Sequence, residues 1–261
     1  VTHDLLLASV GVRAALGAVL GVIVGSFLGA LITRWPAGRS VLRGRSHCDA
    51  CDAPLGIVDL VPVLSALVLR LRCRRCGARI DPFHMVAEIG GGIIGACALA
   101  FSTGPVAALG WCLAGWMLVA LALLDARHFW LPDALTLPLA FCGFVLGPWC
   151  LPVAMQDRWI GAAAGYGALM IVALTYRRWR GRDGLGMGDA KLLGAIGAWS
   201  GWLALPLVLL LASVGGLLWA LIAMLAGRDI SGSTRLPLGT LLALAAGPAI
   251  WLAHELYPGL A

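Results

Sequence analysis

An all-α, polytopic membrane fold is predicted by three observations on this sequence. Of its 261 residues, 61% are hydrophobic and 12% charged, about half the ~25% charged residues of an average globular domain. Several apolar runs approach or exceed the ~18–20 residues needed to cross hydrocarbon. Lys and Arg gather in the polar links between those runs, as in loops retained on the cytoplasmic side. The formal net charge is +6. Because the excess is Arg in such loops, topology accounts for it, and nucleic acid is not expected as a partner.

The elements follow in order. Residues 5–32 form the first apolar run. It exceeds the ~7–15 residues of a signal-peptide core, so it is expected to remain as a span within a first segment, 1–33. Next comes a polar insertion, 34–84, holding Arg34, Arg39, Arg43, Arg45, Arg70, Arg72, Arg74, Arg75 and Arg79. That density places it in the cytoplasm. Further spans are expected at 85–101, 105–124, 133–150, 159–176, 191–203, 205–226 and 236–257, which makes about eight transmembrane helices of ~20 residues each.

Alternation then tests the count. If 34–84 lies inside, so do the loops around Arg127, 177–191 and 228–235, which hold nearly all the remaining Lys and Arg. The outside links, 102–104, 151–158 and 200–202, carry Arg158 alone. Trp130, Trp149, Trp159, Trp179, Trp199 and Trp202 stand near span ends, as an aromatic belt would. Gly21, Gly25 and Gly29 line one expected helix, and Gly90, Gly91, Gly92 and Gly95 the next. Such stripes predict close helix packing. Residues 85–261 would form one domain of about seven spans.

The insertion carries two CxxC pairs, Cys48/Cys51 and Cys73/Cys76, separated by residues 52–72. This is close to the ~15–20 spacing of a four-cysteine zinc site. Four thiolates make a closed, tetrahedral structural site with no open position for chemistry. Zinc would also fold a segment too small to build its own core. Disulfides would require an oxidising compartment, against the charge pattern. Cys97, Cys112, Cys142 and Cys150 lie in apolar runs and read as packing residues. His3, His47, His84, His128 and His254 form no ligand cluster by spacing.

Two carboxylates carry the chemistry. Asp189 sits in the glycine-rich stretch Gly184-Leu185-Gly186-Met187-Gly188-Asp189-Ala190-Lys191, between apolar runs. Asp125 ends the run 111–124. On the expected topology both lie at cytoplasmic helix ends, with Glu88 on the same side. A carboxylate at such depth is expensive unless it has a use. Two aspartates brought together share a proton. One can then activate water while the other donates a proton, as in peptide hydrolysis. Helix capping is the plain alternative, and a carboxylate relay in a transporter is the competing function. Glycine beside Asp189 would let an extended polypeptide backbone approach.

These motifs together are specific. Gly186-Met187-Gly188-Asp189, continued by Ala190-Lys191, resembles the GxGDxK signature of bacterial type IV prepilin peptidases, which are membrane aspartic proteases. The stretch from Asp125 to Leu131-Pro132-Asp133 is similar to the segment carrying the family's partner aspartate. Leu236-Pro237-Leu238-Gly239-Thr240 resembles the family's Pro-Phe-Gly-Pro, with Leu238 for Phe and Thr240 for the second Pro. Gly25-Ser26-Phe27-Leu28, Arg34-Trp35-Pro36, Val61-Pro62-Val63-Leu64-Ser65, Arg72-Cys73-Arg74-Arg75-Cys76 and the segment from Phe83 to Glu88 resemble further family motifs. The match runs from about Gly25 to Gly239. Gly29 departs from the pattern, standing where the family usually has Asn.

The resemblance implies an inner-membrane aspartic endopeptidase with its active site at the cytoplasmic face. Its substrates would be the basic leaders of type IV prepilins or type II secretion pseudopilins, embedded in the bilayer. A second activity, N-methylation of the new terminus with S-adenosylmethionine, is also implied. Asp125 and Asp189 take the catalytic roles, with Gly186, Gly188 and Lys191 supporting the motif and Asp133 structural. The insertion is associated with methyl transfer, to which Glu88 would contribute. The alternatives are a peptidase without methylation, and a non-catalytic zinc-ribbon scaffold of a secretion machine.

Overall fold

The computed structural model describes residues 9–41, 47–48, 50–56, 58–181, 184–229 and 234–256. His3, the expected start of the first span at Leu5, Arg43, Arg45 and the expected end of the last span at Tyr257 lie outside the described residues. Among those residues the structure is helical, with no strand and two isolated bridges, His47 to Pro54 and Arg72 to Arg79. The chain divides into two compact units, Val1–Ala120 and Leu121–Ala261.

The first unit is built on α1 (Val10–Arg34), the short α2 (Leu64–Val68), α3 (Pro82–Phe101) and most of α4 (Pro105–His128). Ser9 caps α1, its side chain accepting from the Val12 amide. Asp81 caps α3 ahead of Pro82, accepting from the Phe83 amide at 3.0 Å. Both are standard helix starts. α1 and α3 run antiparallel along the two glycine stripes. Gly17 faces Gly95, Gly21 faces Gly91, and Gly25 faces Ala87. A methyl group at any of the three α1 glycines would collide with the α3 backbone. The stripes therefore serve close packing, as small residues do in membrane helix pairs. Arg13, inside the first apolar run, donates to the carbonyls of Ala100 (2.7 Å) and Ser102 (3.5 Å), neutralising the exposed carbonyl end of α3.

The second unit contains the end of α4, then α5 (Asp133–Val145), α6 (Gly147–Cys150), α7 (Met155–Arg180), α8 (Met187–Ser200), α9 (Leu205–Leu225) and α10 (Leu238–Leu256). α8 is its centre, buried at Asp189 and Ala190 and without interruption from Leu192 to Ser200. α7 packs antiparallel to it through small residues: Gly161 meets Gly197 and Gly201, and Gly165 meets Leu193 and Gly194. Arg158 is wholly buried beside the carbonyl end of α8. It donates to the carbonyls of Ala198 (3.1 Å), Trp199, Leu151 (2.9 Å), Val153 (3.3 Å) and Gly143 (3.4 Å). A single cation thus satisfies several carbonyls that helix and turn geometry leave open. The expectation that it is merely the lone base of an outside link misses this role.

Helices occupy all eight expected positions, but among the described residues six are long and apolar enough to cross a membrane: α1, α3, α4, α7, α9 and α10. The expected span 133–150 breaks at Leu146, where Gly147 and Pro148 begin a separate turn. α5 therefore has 13 residues. The expected span 191–203 is α8, which starts earlier, at Met187, and stops at Gly201 with φ 73°. At ~1.5 Å per residue, helices of 13 and 14 residues reach only ~20 Å, short of the ~30 Å hydrocarbon layer.

Candidate active site

Asp125 and Asp189 come together within the second unit. Asp125 lies in the last turn of α4 and is 5% exposed, and Asp189 lies in the first turn of α8 and is 8% exposed. Neither turns towards solvent as a plain surface cap would. The first turn of α10 meets both. Asp125 Oδ2 accepts from the Thr240 amide at 2.7 Å and from the Thr240 hydroxyl at 3.1 Å. The same hydroxyl reaches the Ala122 carbonyl at 2.8 Å. The Gly239 amide interacts with both carboxylates. Asp189 Oδ1 is buried with no hydrogen-bond partner among the described residues.

The surrounding glycines each have a local reason. Leu131, in the segment after α4, packs against Gly188 and Gly239. A methyl at Gly188 would lie 2.8 Å from Leu131 Cβ, and one at Gly239 would lie 2.6 Å from Leu131 Cδ1 and 3.1 Å from Asp125 Oδ2. Gly184 lies against the Tyr176 ring. Gly186 caps α8; a methyl there would meet only the Asp189 carboxyl at 3.2 Å and the Gly188 amide at 4.0 Å. Of these four glycines, Gly186 therefore meets no other helix or loop among the described residues. Lys191 turns from the aspartate pair to Asp133, contacting both its oxygens at 2.6 and 2.8 Å. That ion pair ties the start of α8 to the start of α5. In the sequence Thr240 stands out only as a departure from a motif, and Leu131 only as part of one. The motif's position just before an apolar run was the available signal for the α10 turn.

The four insertion cysteines form a second constellation, in the first unit. Their sulfurs all lie within 4.8 Å of one another, and Cys48 Sγ to Cys76 Sγ is 3.8 Å. Tetrahedral ligation at ~2.3 Å per Zn–S bond requires sulfurs ~3.8 Å apart, so the donor set fits such a metal. The two CxxC turns are built alike. The Cys48 carbonyl accepts from Asp52, and its amide donates to Ala53; Cys73 does the same with Gly77 and Ala78. Asp52 and Gly77 take the matching positive-φ position, at 55° and 71°. The thiols are electrostatically crowded. The Cys76 amide, then that of Arg75, draws the Cys73 thiol down to about 6. Against the Ala78 amide, which lowers it, the Cys51 thiol and its neighbours push Cys76 up to about 11. A divalent cation would relieve that crowding. His47 pairs with Asp52 at 3.7 Å.

Glu88 is buried, and its Oε2 accepts from the Val63 amide at 2.7 Å. Val63 has φ 61° and ψ −51°, and the Leu64 amide bonds to the Pro62 carbonyl at 2.6 Å. This is close to a γ-turn of the rare, strained kind, on a β-branched residue. Glu88 anchors that turn.

Comparison with known proteins decides the lineage. The profile described as "Bacterial Peptidase A24 N-terminal domain" matches residues 19–101, and that of the "Type IV leader peptidase family" matches 112–221. The chain is 35% identical to the "Prepilin leader peptidase/N-methyltransferase" of Burkholderia pseudomallei, across 95% of this chain and 88% of that protein. The chain belongs to the type IV leader peptidase family. Other similar members bear the same description: one from Aeromonas hydrophila is 40% identical over 77% of this chain and 69% of its own, and one from Stutzerimonas stutzeri is 33% identical over 89% and 88%. No solved structure matches. Within this family assignment, both carboxylates and their α10 contacts fall in the second unit, while the cysteine cluster falls in the first.

Proposed function

We propose that this chain is a membrane aspartic endopeptidase that removes the basic leader of type IV prepilins or type II secretion pseudopilins, and then methylates the new amino terminus. The observation that carries the reading is the pair of buried aspartates served by one helix start. Hydrolysis of a peptide needs one group to take a proton from water and one to give a proton to the carbonyl oxygen. Two neighbouring carboxyls sharing a proton supply both. Asp125 and Asp189 are assigned those roles, and Gly186 the open approach for the substrate backbone. The arginine-dense insertion and the loops around Arg127, 177–191 and 228–235 assign this end to the cytoplasmic face of the inner membrane.

The second reaction is assigned to the insertion, residues 34–84. Zinc on Cys48, Cys51, Cys73 and Cys76 would hold it folded, without touching substrate. S-adenosylmethionine supplies an electrophilic methyl group when bound, and the acceptor is the neutral amine released by cleavage. Glu88 is assigned a positioning role there, because its carboxylate holds the Val63 turn.

The test is a cleavage assay on purified protein with a prepilin in detergent. Asp125→Asn and Asp189→Asn are each expected to abolish leader removal, a loss of about 10³-fold or more, while both variants insert normally. Wild-type cleavage by either would remove that residue from the active site.

A further inference from the structure

We propose that Thr240 makes Asp125 the ionised, water-activating member of the aspartate pair and leaves Asp189 as the proton donor. This rests on the peptidase reading above. α10 begins at Leu238, so the amides of its first turn lack intrahelical acceptors. The Thr240 amide finds one in Asp125 Oδ2 at 2.7 Å. Asp125 thus caps α10 from another helix, where the positive end of the helix favours an anion. The Thr240 hydroxyl adds a second donor to the same oxygen at 3.1 Å. Hydrogen bonds to a charged acceptor stabilise the charged form.

Asp189 is treated differently. It lies in the first turn of its own helix, as Asp125 lies against the start of α10, and the Gly239 amide serves both carboxylates, so neither feature separates them; the Gly186 amide is the one further backbone donor to Asp189 among the described residues. Thr240 does, because its amide donates to Asp125 and its hydroxyl lies within reach of the same oxygen. Asp189 Oδ1 is buried and without a partner among the described residues. A buried, unpartnered oxygen costs more on a carboxylate than on a neutral acid. The shared proton therefore belongs on Asp189. The hydroxyl also has an alternative acceptor, the Ala122 carbonyl at 2.8 Å. Its single proton can leave Asp125 for Ala122 when Asp125 itself becomes protonated, so the contact follows the charge.

The step balances as follows. Asp125 takes a proton from water as the water oxygen bonds to the scissile carbonyl carbon, and Asp189 gives its proton to the carbonyl oxygen. The neutral diol then collapses. The carbon–nitrogen bond breaks, the leaving nitrogen takes the proton from Asp125, and one diol hydroxyl returns a proton to Asp189. The products are a carboxylic acid and an amine, and both aspartates regain their starting states.

Kinetics of the full-length protein with a prepilin test this, together with infrared spectra in detergent. Thr240→Val keeps the volume and the amide but removes the hydroxyl. It should lower kcat about tenfold with KM within about twofold, and Thr240→Ser should recover most of the rate. The spectrum of wild type minus Asp189→Asn should contain a protonated-carboxyl band. An unchanged kcat in Thr240→Val, or a difference spectrum without that band, overturns the inference. If Asp125→Asn still cleaves, the peptidase reading itself fails. If it is dead while Thr240→Val matches wild type, only the role of Thr240 fails.

Discussion

Lys191 and Asp133 meet within hydrogen-bonding distance, yet both are partly exposed, at 30% and 55%. A pair so open to solvent contributes about 1 kcal/mol or less to stability. Its value lies in holding the start of α8 through Lys191, two residues after the buried Asp189. Asp133→Asn should therefore unfold no more readily than wild type and should cleave within about tenfold of it, far above either dyad variant. Lys191→Met should behave like Asp133→Asn, because both break the same contact, and the double variant should be no worse than the worse single one. Thermal unfolding and kcat/KM on the three proteins check this. Asp125 and Asp189 were conspicuous as carboxylates beside apolar runs, but helix capping explained that position equally well, and the glycines and the motif resemblance singled them out. The partnership of Asp125 with Thr240, 115 positions away, was not legible, because no local pattern says which amide will cap which helix. Arg158 was hidden for the opposite reason. A lone Arg beside a span end reads as an interfacial residue, and only tertiary structure shows five carbonyls converging on it.

At the scale of elements, the α1–α3 pair depends on an absence of side chains. Gly21→Leu would drive a side chain into the Gly91 backbone, which cannot yield as a side-chain tip can. The two helices must separate, and overpacking of this kind costs about 1–3 kcal/mol. The detergent-solubilised variant should melt earlier than wild type, whereas Gly11→Ala, where a methyl meets only the Ser9 hydroxyl at 4.0 Å among the described residues, should melt like wild type. Equal melting of both variants would count against the packing. The glycine stripes were legible as packing signals because their spacing matches a helical face. Helix length was less legible. The run 133–150 is mostly apolar after Asp133, and hydropathy alone does not register that Gly147-Pro148 starts a new turn. The expected start at 191 falls late because the glycine-rich stretch up to Asp189 looks like a loop, although residues 187–190 form the first turn of α8.

For the molecule as a whole, the metal and the chemistry are expected to be separable. Purified protein should contain about one zinc per chain, and Cys51→Ser or Cys76→Ser should lower that content and expose 34–84 to protease. Protons compete with metal for thiolates, so elemental analysis should show zinc retained at neutral pH and released on acidification. Because the cysteines belong to one compact unit and the aspartates to the other, Asp189→Asn given an already cleaved pilin should still yield methylated product by mass spectrometry. An unmethylated product, with wild type active in parallel, would count against separate sites.

The antiparallel register of α7 and α8 has a further consequence. Gly161 faces Gly197 and Gly201, and Gly165 faces Leu193 and Gly194. Continuing that register puts Asp189 opposite Met170 or thereabouts. α7 runs on to Arg180 and ends in Arg177, Arg178 and Arg180, so it overhangs Asp189 by about ten residues, or ~15 Å at 1.5 Å per residue. If those arginines mark the headgroup level, the aspartates sit in a recess beneath it. A leader helix lying across the lipid surface could not present its scissile bond there intact. The junction between leader and pilin has to uncoil and dip, and water has to follow it down.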